Sequence, residues 1–191
     1  MTATTKDRIV EATTALFRQY GYTGTGLKQI VADANAPFGS LYHHFPGGKA
    51  QLGEEVIRRS GRMYLELVLG IWEAAPDPLA GVRDIFAGAA EVLVATDFLD
   101  PCPIAVVALE VASSNEVLRQ ATAEVFESWI DAATNHLFGA GVDAAMARSL
   151  SFVLVELLEG AFMLARATRT THALTAAGDA AAALVEAAMR G

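Results

Sequence analysis

The stretch that decides the fold is residues 21–52, which read GYTGTGLKQIVADANAPFGSLYHHFPGGKAQL. It predicts two short helices, one starting near Leu27 and one running from Pro37 to about His44, because Asn35 and Pro37 interrupt the pattern between them. Asparagine tolerates the positive φ of a tight turn better than any residue except glycine, and proline suits the first turn of a helix. Two short helices joined in this way predict a helix-turn-helix.

Amphipathic helices are expected on both sides of this stretch. Apolar residues at steps of three and four predict a helix over residues 5–20, which Gly21 ends, and Thr25 is the predicted N-cap of the next helix. Further helices are expected over residues 49–72, 79–95, 103–112, 115–138, 143–168 and 172–189. Since no stretch alternates as a β-strand does, we predict an all-α fold of about nine helices.

Charge separates the chain into two parts. Residues 1–62 carry eight cations and five anions, a net charge of +3, whereas the remainder carries −11. Such asymmetry suggests that the two parts have different functions, and the positive part is the one suited to binding phosphates. We therefore predict a helix-turn-helix DNA-binding domain over residues 1–48 and a second domain with a different task over residues 49–191, in which residues 49–74 form the connecting helix.

Composition and motifs exclude several classes of protein. The strongest apolar run, residues 150–158, contains Glu156, and the charged N-terminus does not resemble a signal peptide, so we expect a cytoplasmic protein without a membrane span. The chain has one cysteine, Cys102, and the adjacent His43 and His44 lack the spacing of helical metal ligands, so we expect neither metal nor cofactor. The sequence contains neither GxSxG nor HExxH, and we do not predict an enzyme.

Two motifs carry a family resemblance. Residues 21–52, and within them APFGSLYHHFPGGK, resemble the N-terminal signature of the TetR/AcrR family of transcriptional regulators. Together with CPIAVVALEVA at residues 102–112, they resemble its LmrA/YxaF-like branch. The resemblance implies that residues 37–43 form the recognition helix and that residues 49–191 form the ligand-binding and dimerisation domain. It also implies a DNA-binding set that reads base edges or holds phosphates: Thr25, Gly26, Lys28, Pro37, Phe38, Gly39, Ser40, Tyr42, His43, His44 and Lys49.

The recognition helix departs from the family pattern at one position of consequence. Phe38 stands where a lysine or arginine is common, so this position cannot supply a bidentate contact to guanine. Apolar contact with a thymine methyl group and the shape of the DNA are the expected alternatives. Within the resemblance, Phe38, Gly39 and Ser40 would face base edges, whereas Tyr42 and Lys49 would meet phosphates.

The segment from Leu150 to Ala165 is apolar nearly all round, which is more than a helix with one buried face requires. The resemblance implies that it joins the last helix in a four-helix bundle between two subunits. The alternative is a fully buried central helix of a monomer. The predicted dimer interface consists of Leu150, Leu154, Leu157, Leu158, Ala161, Leu164 and Leu184.

Large apolar residues and a few carboxylates suggest a cavity for a small hydrophobic inducer. The predicted ligand-binding set comprises Met63, Leu67, Trp72, Phe86, Cys102, Val106, Leu109, Glu110, Phe126, Trp129, Phe152 and Glu156. The resemblance implies a repressor that binds palindromic operator DNA as a homodimer and is released by the inducer. The alternative is a helical ligand- or partner-binding module that does not touch DNA.

Overall fold

The computed structural model describes residues 3–99 and 102–190, and within them it contains helices and turns but no strand. The helices are α1 (Thr5–Tyr20), α2 (Leu27–Asp33), α3 (Phe38–His44), α4 (Gly48–Ala74), α5 (Pro78–Ala95), α6 (Pro103–Val111), α7 (Glu116–Gly139), α8 (Ala144–Thr168) and α9 (His172–Arg190). The predicted all-α fold with about nine helices is confirmed. None of the helices in these ranges is long and apolar enough to cross a membrane.

The described residues form two compact units. The first comprises residues 3–62 and 102–125, and the second comprises residues 63–99 and 126–190. The first unit therefore contains more than the helix-turn-helix, since α6 and the start of α7 pack with it. The packing boundary differs from the predicted boundary at residue 48, and the division by function stays a prediction.

Short local signals set the ends of the first two helices. Thr4 caps α1 in a reciprocal pair with Asp7, and Gly21 ends that helix at a φ of 71°. The prediction that Thr25 caps α2 is wrong, because Gly26 occupies that position. The buried Thr25 hydroxyl instead donates to the carbonyl oxygen of Gly21 at 2.7 Å. The threonine thus closes the loop between the helices from inside.

The helix-turn-helix has its own apolar core. Five large side chains are at most 2 % exposed. They come from α1, α2, α3 and the residue after α3, and they are Ile9, Phe17, Ile30, Leu41 and Phe45. Each such side chain contributes about 1.5–3 kcal/mol when removed from water. The predicted core role of Leu41 and Phe45 is confirmed.

In the second unit, α9 packs against α5 and α8 around a separate core. Two glycines allow large side chains to lie close, because a Cβ at Gly81 would overlap Trp72 and a Cβ at Gly178 would press on Phe86. Trp72 also donates from Nε1 to the carbonyl oxygen of Pro78 at 3.2 Å. The Trp72 contacts fix the end of α4 to the start of α5, and the Gly178 contact brings α9 close to α5.

Candidate nucleic-acid interface

The outer face of α3 is aromatic. Phe38 and Tyr42 are 45 % and 48 % exposed, although both are large and one is fully apolar. They lie one turn apart with their ring centroids 5.8 Å from each other, so each ring limits the movement of the other. Gly39 and His43 are exposed on the same short helix. Exposed apolar side chains on a rigid helix are typical of a surface that meets a partner.

The opposite face of α3 is fixed to the rest of the motif. Leu41 and Phe45 are buried, and Pro37 is the N-cap rather than the first helical residue that the sequence predicted. Asn35 takes a φ of 46°, which confirms the predicted positive φ at the turn. Arg8 of α1 donates from Nε to the carbonyl oxygen of Ala34 at 3.1 Å and so holds this turn from outside. Nothing in the sequence pattern distinguishes Arg8 for this role.

Most cations of the first unit are engaged within it. Ion pairs with carboxylates of the same unit hold several of them: Lys6 with Glu55, Arg59 with Asp7, Arg58 with Glu54 and Glu124, and Arg119 with Glu116. Lys28 on α2 is exposed. Among the predicted phosphate-binding residues, Lys28 is therefore well placed to contact a phosphate.

Lys49, another predicted phosphate-binding residue, lies over an aromatic ring. Its Nζ is 4.4 Å from the centroid of the Tyr22 ring, in cation–π geometry. Burial lowers the pKa of Lys49, and the charge of Glu110 opposes that effect. Burial raises the pKa of Tyr22, against a hydrogen bond with Asn115. Lys49 would have to leave this ring to contact a phosphate.

Thr25 and Gly26 precede α2 and were predicted to contact phosphates. Gly26 is exposed, but Thr25 is only 1 % exposed and its hydroxyl is used inside the loop. Its side chain therefore cannot reach a phosphate in this conformation. Of the two adjacent histidines, His43 is exposed and His44 is half-buried, with their rings edge to face at 5.0 Å.

Glu110 was predicted to bind ligand, and the structure gives it another role. Its Oε2 accepts a hydrogen bond from the backbone N–H of Thr23 at 2.7 Å, and the carboxylate lies against Gly21. The carboxylate thus joins α6 to the loop between α1 and α2.

The other predicted ligand residues are not alike in exposure. Cys102, Val106 and the 84 % exposed Leu109 belong to the first unit, and Leu109 projects into solvent rather than into a cavity. In the second unit, Trp72 and Phe86 are core residues, Phe126 and Trp129 are half-buried, and Met63, Leu67, Phe152 and Glu156 are exposed. The second unit has a shallow groove lined by Ala90, Glu91, Val94, Ala95 and Thr171, none of which was predicted, and the predicted ligand-binding set stays a prediction.

Trp72 has a specific partner. The ring of His136 stacks on it with centroids 4.2 Å apart and an interplanar angle of 28°. Burial lowers the pKa of His136, and the charge of Glu73 opposes that effect. This stack ties the end of α4 to the last turn of α7, which the sequence did not indicate.

The residues of the predicted dimer interface differ in their exposure in the single chain, and the interface itself stays a prediction. Leu150, Leu154 and Ala161 are at most 8 % exposed and belong to the core of their own unit, and Leu157 and Leu158 pack partly against that core. Leu164 and Leu184 are exposed in the single chain, as expected of residues that a partner subunit would cover. The outward apolar side chains of α8 and α9 also include Phe152, Met163 and Met189. Arg148 lies over the Phe152 ring, 5.4 Å from its centroid.

Comparisons with known proteins identify relatives of this chain. Residues 9–56 match the family model described as bacterial regulatory proteins, tetR family, and residues 78–180 match the model of the LmrA/YxaF-like transcriptional regulator C-terminal domain. The HTH-type transcriptional regulator LmrA of Bacillus subtilis (strain 168) is 31 % identical over 169 residues, which cover 88 % of this chain and 90 % of LmrA. The regulator YxaF of the same organism is 31 % identical over 83 % of each chain.

A solved structure has the same fold. The TetR transcriptional regulator from Legionella pneumophila superimposes with a TM-score of 0.84 over 94 % of this chain and 96 % of that chain, at 22 % sequence identity. The family models span both the helix-turn-helix and most of the later helices. The chain belongs to the TetR family of bacterial transcriptional regulators, with a C-terminal domain of the LmrA/YxaF-like type.

Proposed function

We propose that this protein is a repressor that binds palindromic operator DNA as a homodimer and leaves it when a small hydrophobic inducer binds. The observation that carries the proposal is the outer face of α3, where Phe38 and Tyr42 are exposed while Leu41 and Phe45 fix the helix to its support. A recognition helix must combine these two properties, since it enters the major groove without losing its position in the motif.

The polar contacts would come from several elements. The Tyr42 hydroxyl, the exposed Lys28 and the exposed His43 would meet phosphates, whereas Phe38, Gly39 and Ser40 would face the bases. Lys49 would supply a further phosphate contact after leaving the Tyr22 ring. Because many cations of this unit are held in internal ion pairs, few phosphate contacts per subunit are available, and pairing of two subunits would supply the remaining affinity.

Salt dependence tests the role of Lys28. A Lys28→Ala variant is expected to bind operator more weakly and to reduce the slope of log Kobs against log salt concentration by about 0.9 per contact, or about 1.8 for a dimer. The operator would first be selected from random duplexes, and binding measured by fluorescence anisotropy. Arg83→Ala removes the same charge from the exposed face of α5 and should leave the slope unchanged.

The same measurement separates the two candidate functions. If no duplex is selected by the wild-type protein, and binding to all duplexes is equally weak, the protein is a helical module without DNA recognition. Unchanged affinity and slope in Lys28→Ala would contradict only the proposed phosphate contact of Lys28. They would not contradict DNA binding by the protein.

Dimerisation would use the outward faces of α8 and α9. Phe152, Met163 and Leu164 of α8 and Leu184 of α9 are 42–64 % exposed in the single chain. Gly160 lies within α8, and a Cβ added there would meet no heavy atom within 4 Å. A glycine in the middle of a helix costs about 1 kcal/mol relative to alanine, so its presence where its own chain leaves space suggests close approach by a second helix.

We expect Gly160→Arg to convert the dimer to a monomer while the subunit stays folded. The arginine has room in the single chain but would project into the partner. Sedimentation equilibrium measures the change, and circular dichroism reports the fold. Gly139→Arg is the matched control, since a Cβ at Gly139 also meets nothing within 4 Å. A Gly160→Arg protein that remains dimeric would place the interface elsewhere.

The inducer would act by linkage. It would bind the second domain more tightly in one arrangement of the dimer. In that arrangement the distance between the two α3 helices would differ from the roughly 34 Å spacing of successive major grooves. The match to an LmrA/YxaF-like C-terminal domain supports this part of the proposal. Operator DNA must then weaken inducer binding by the same factor, and equal inducer affinity with and without operator would contradict it.

A further inference from the structure

We propose that Phe38 makes the protein specific for thymine, by packing its ring against the 5-methyl group of a thymine in each half-site. This inference rests on the proposed binding of operator DNA. Thymine is the base that presents an apolar group in the major groove, whereas the other base edges there offer hydrogen-bond donors and acceptors.

The chemistry of α3 favours an apolar contact. Its sequence is FGSLYHH, without lysine or arginine, so the helix cannot make the bidentate contact that usually recognises guanine. It also lacks asparagine and glutamine, which recognise adenine in the same way. The helix thus has few means of reading polar base edges, and its largest fully apolar exposed side chain is the phenyl ring of Phe38.

The position of Phe38 suits this contact. It is the first residue of α3, and the N-terminal residues of recognition helices are those that contact base edges. Its ring is exposed and rests beside Tyr42 at 5.8 Å between centroids, so it is held in the exposed position before DNA arrives. Little side-chain freedom would be lost on binding, which favours affinity.

Gly39 supports close approach. It is exposed, and a Cβ added there would meet no heavy atom within 4 Å, so folding of the single chain does not require glycine. A glycine beside Phe38 would let the helix backbone come near the base pairs and bring the ring into van der Waals contact with the methyl group.

Substitution of thymine by deoxyuridine removes the methyl group and nothing else. The selected operator would be synthesised with deoxyuridine at one symmetric pair of thymine positions at a time, and Kd measured for each duplex. For the wild type we expect binding to weaken about fourfold for each recognised methyl group that is removed, because burial of one such carbon favours binding by about 0.8 kcal/mol. Removal of one methyl group from each half-site should therefore weaken binding about fifteenfold.

Phe38→Ala is the decisive variant. It should bind the thymine operator more weakly and should no longer distinguish thymine from deoxyuridine at the sensitive position. Because Phe38 is exposed, the variant should fold normally, and a lower salt concentration brings its affinity into the measurable range. Phe138→Ala, which removes an exposed phenylalanine from α7, should keep the full discrimination.

Two results would overturn this inference while leaving operator binding intact. One is a wild-type protein that is indifferent to deoxyuridine at every thymine position. The other is a Phe38→Ala variant that keeps the wild-type discrimination. If the wild type selects no operator at all, the proposed function fails and this inference fails with it.

Discussion

A Gly39→Glu protein is expected to fold at least as well as the wild type and to lose operator binding by about 100-fold or more. A side chain at this position enters open space, and glutamate near the start of α3 is favoured both by helix propensity and by the helix dipole. On DNA, however, the carboxylate would lie between negatively charged strands, and like charges at an interface cost several kcal/mol. Thermal unfolding and operator titration measure the two effects separately.

Gly70→Glu is the matched control. Gly70 is exposed on α4 in the second unit, outside the helix-turn-helix, and a Cβ there also meets no heavy atom within 4 Å. Both variants change the charge by the same amount and replace a helical glycine. Retention of operator binding in Gly39→Glu, or equal losses in both variants, would rule out α3 as the element that enters the groove.

Gly21→Ala is expected to destabilise the first unit by roughly 3–5 kcal/mol and to weaken operator binding as a consequence. Gly21 has a φ of 71° and a ψ of −179°, a conformation that is essentially restricted to glycine. A methyl group there would also overlap the Glu110 carboxylate and displace it from its 2.7 Å hydrogen bond with Thr23. Denaturant unfolding, followed by circular dichroism, measures the loss.

Two variants separate strain from crowding at Gly21. Gly26→Ala lies in the same loop, at an ordinary φ of −96° and with no heavy atom within 4 Å of the added Cβ, and should change stability little. Combining Gly21→Ala with Glu110→Ala removes the overlap, so the cost of the double variant relative to Glu110→Ala alone reflects the backbone conformation. A Gly21→Ala protein as stable as Gly26→Ala would show that the loop can adopt another conformation without cost.

The helices follow largely from the sequence because their ends depend on local chemistry. The capping of α1 by Thr4, the stop at Gly21 and the turn at Asn35 involve residues only a few positions apart. Such signals are visible without tertiary contacts. Thr25 was assigned wrongly because its hydroxyl has two local options, the α2 backbone and the Gly21 carbonyl, and the loop geometry decides between them.

The site was less predictable because long-range contacts decide it. Glu110 contacts the backbone of Thr23, 87 residues away, and no periodicity reveals that pairing. On α8, Leu150 and Leu154 face the core while Phe152 faces outward. Both faces of this helix are apolar, so the sequence pattern does not indicate which side meets a partner.

Since α3 carries neither lysine nor arginine, the lysines that hold the DNA strands would come from other helices, and α3 would add only the phosphate contacts of Tyr42 and His43 to its choice among base sequences. Release of counterions would then be nearly the same on an operator and on bulk chromosomal DNA, so a rise in ionic strength would weaken both complexes together and leave their ratio almost constant. New residues at the base-facing positions 38–40 of α3 would redirect the protein to another promoter with little change in its affinity for the rest of the genome. That separation suits the chain to construction of orthogonal genetic switches.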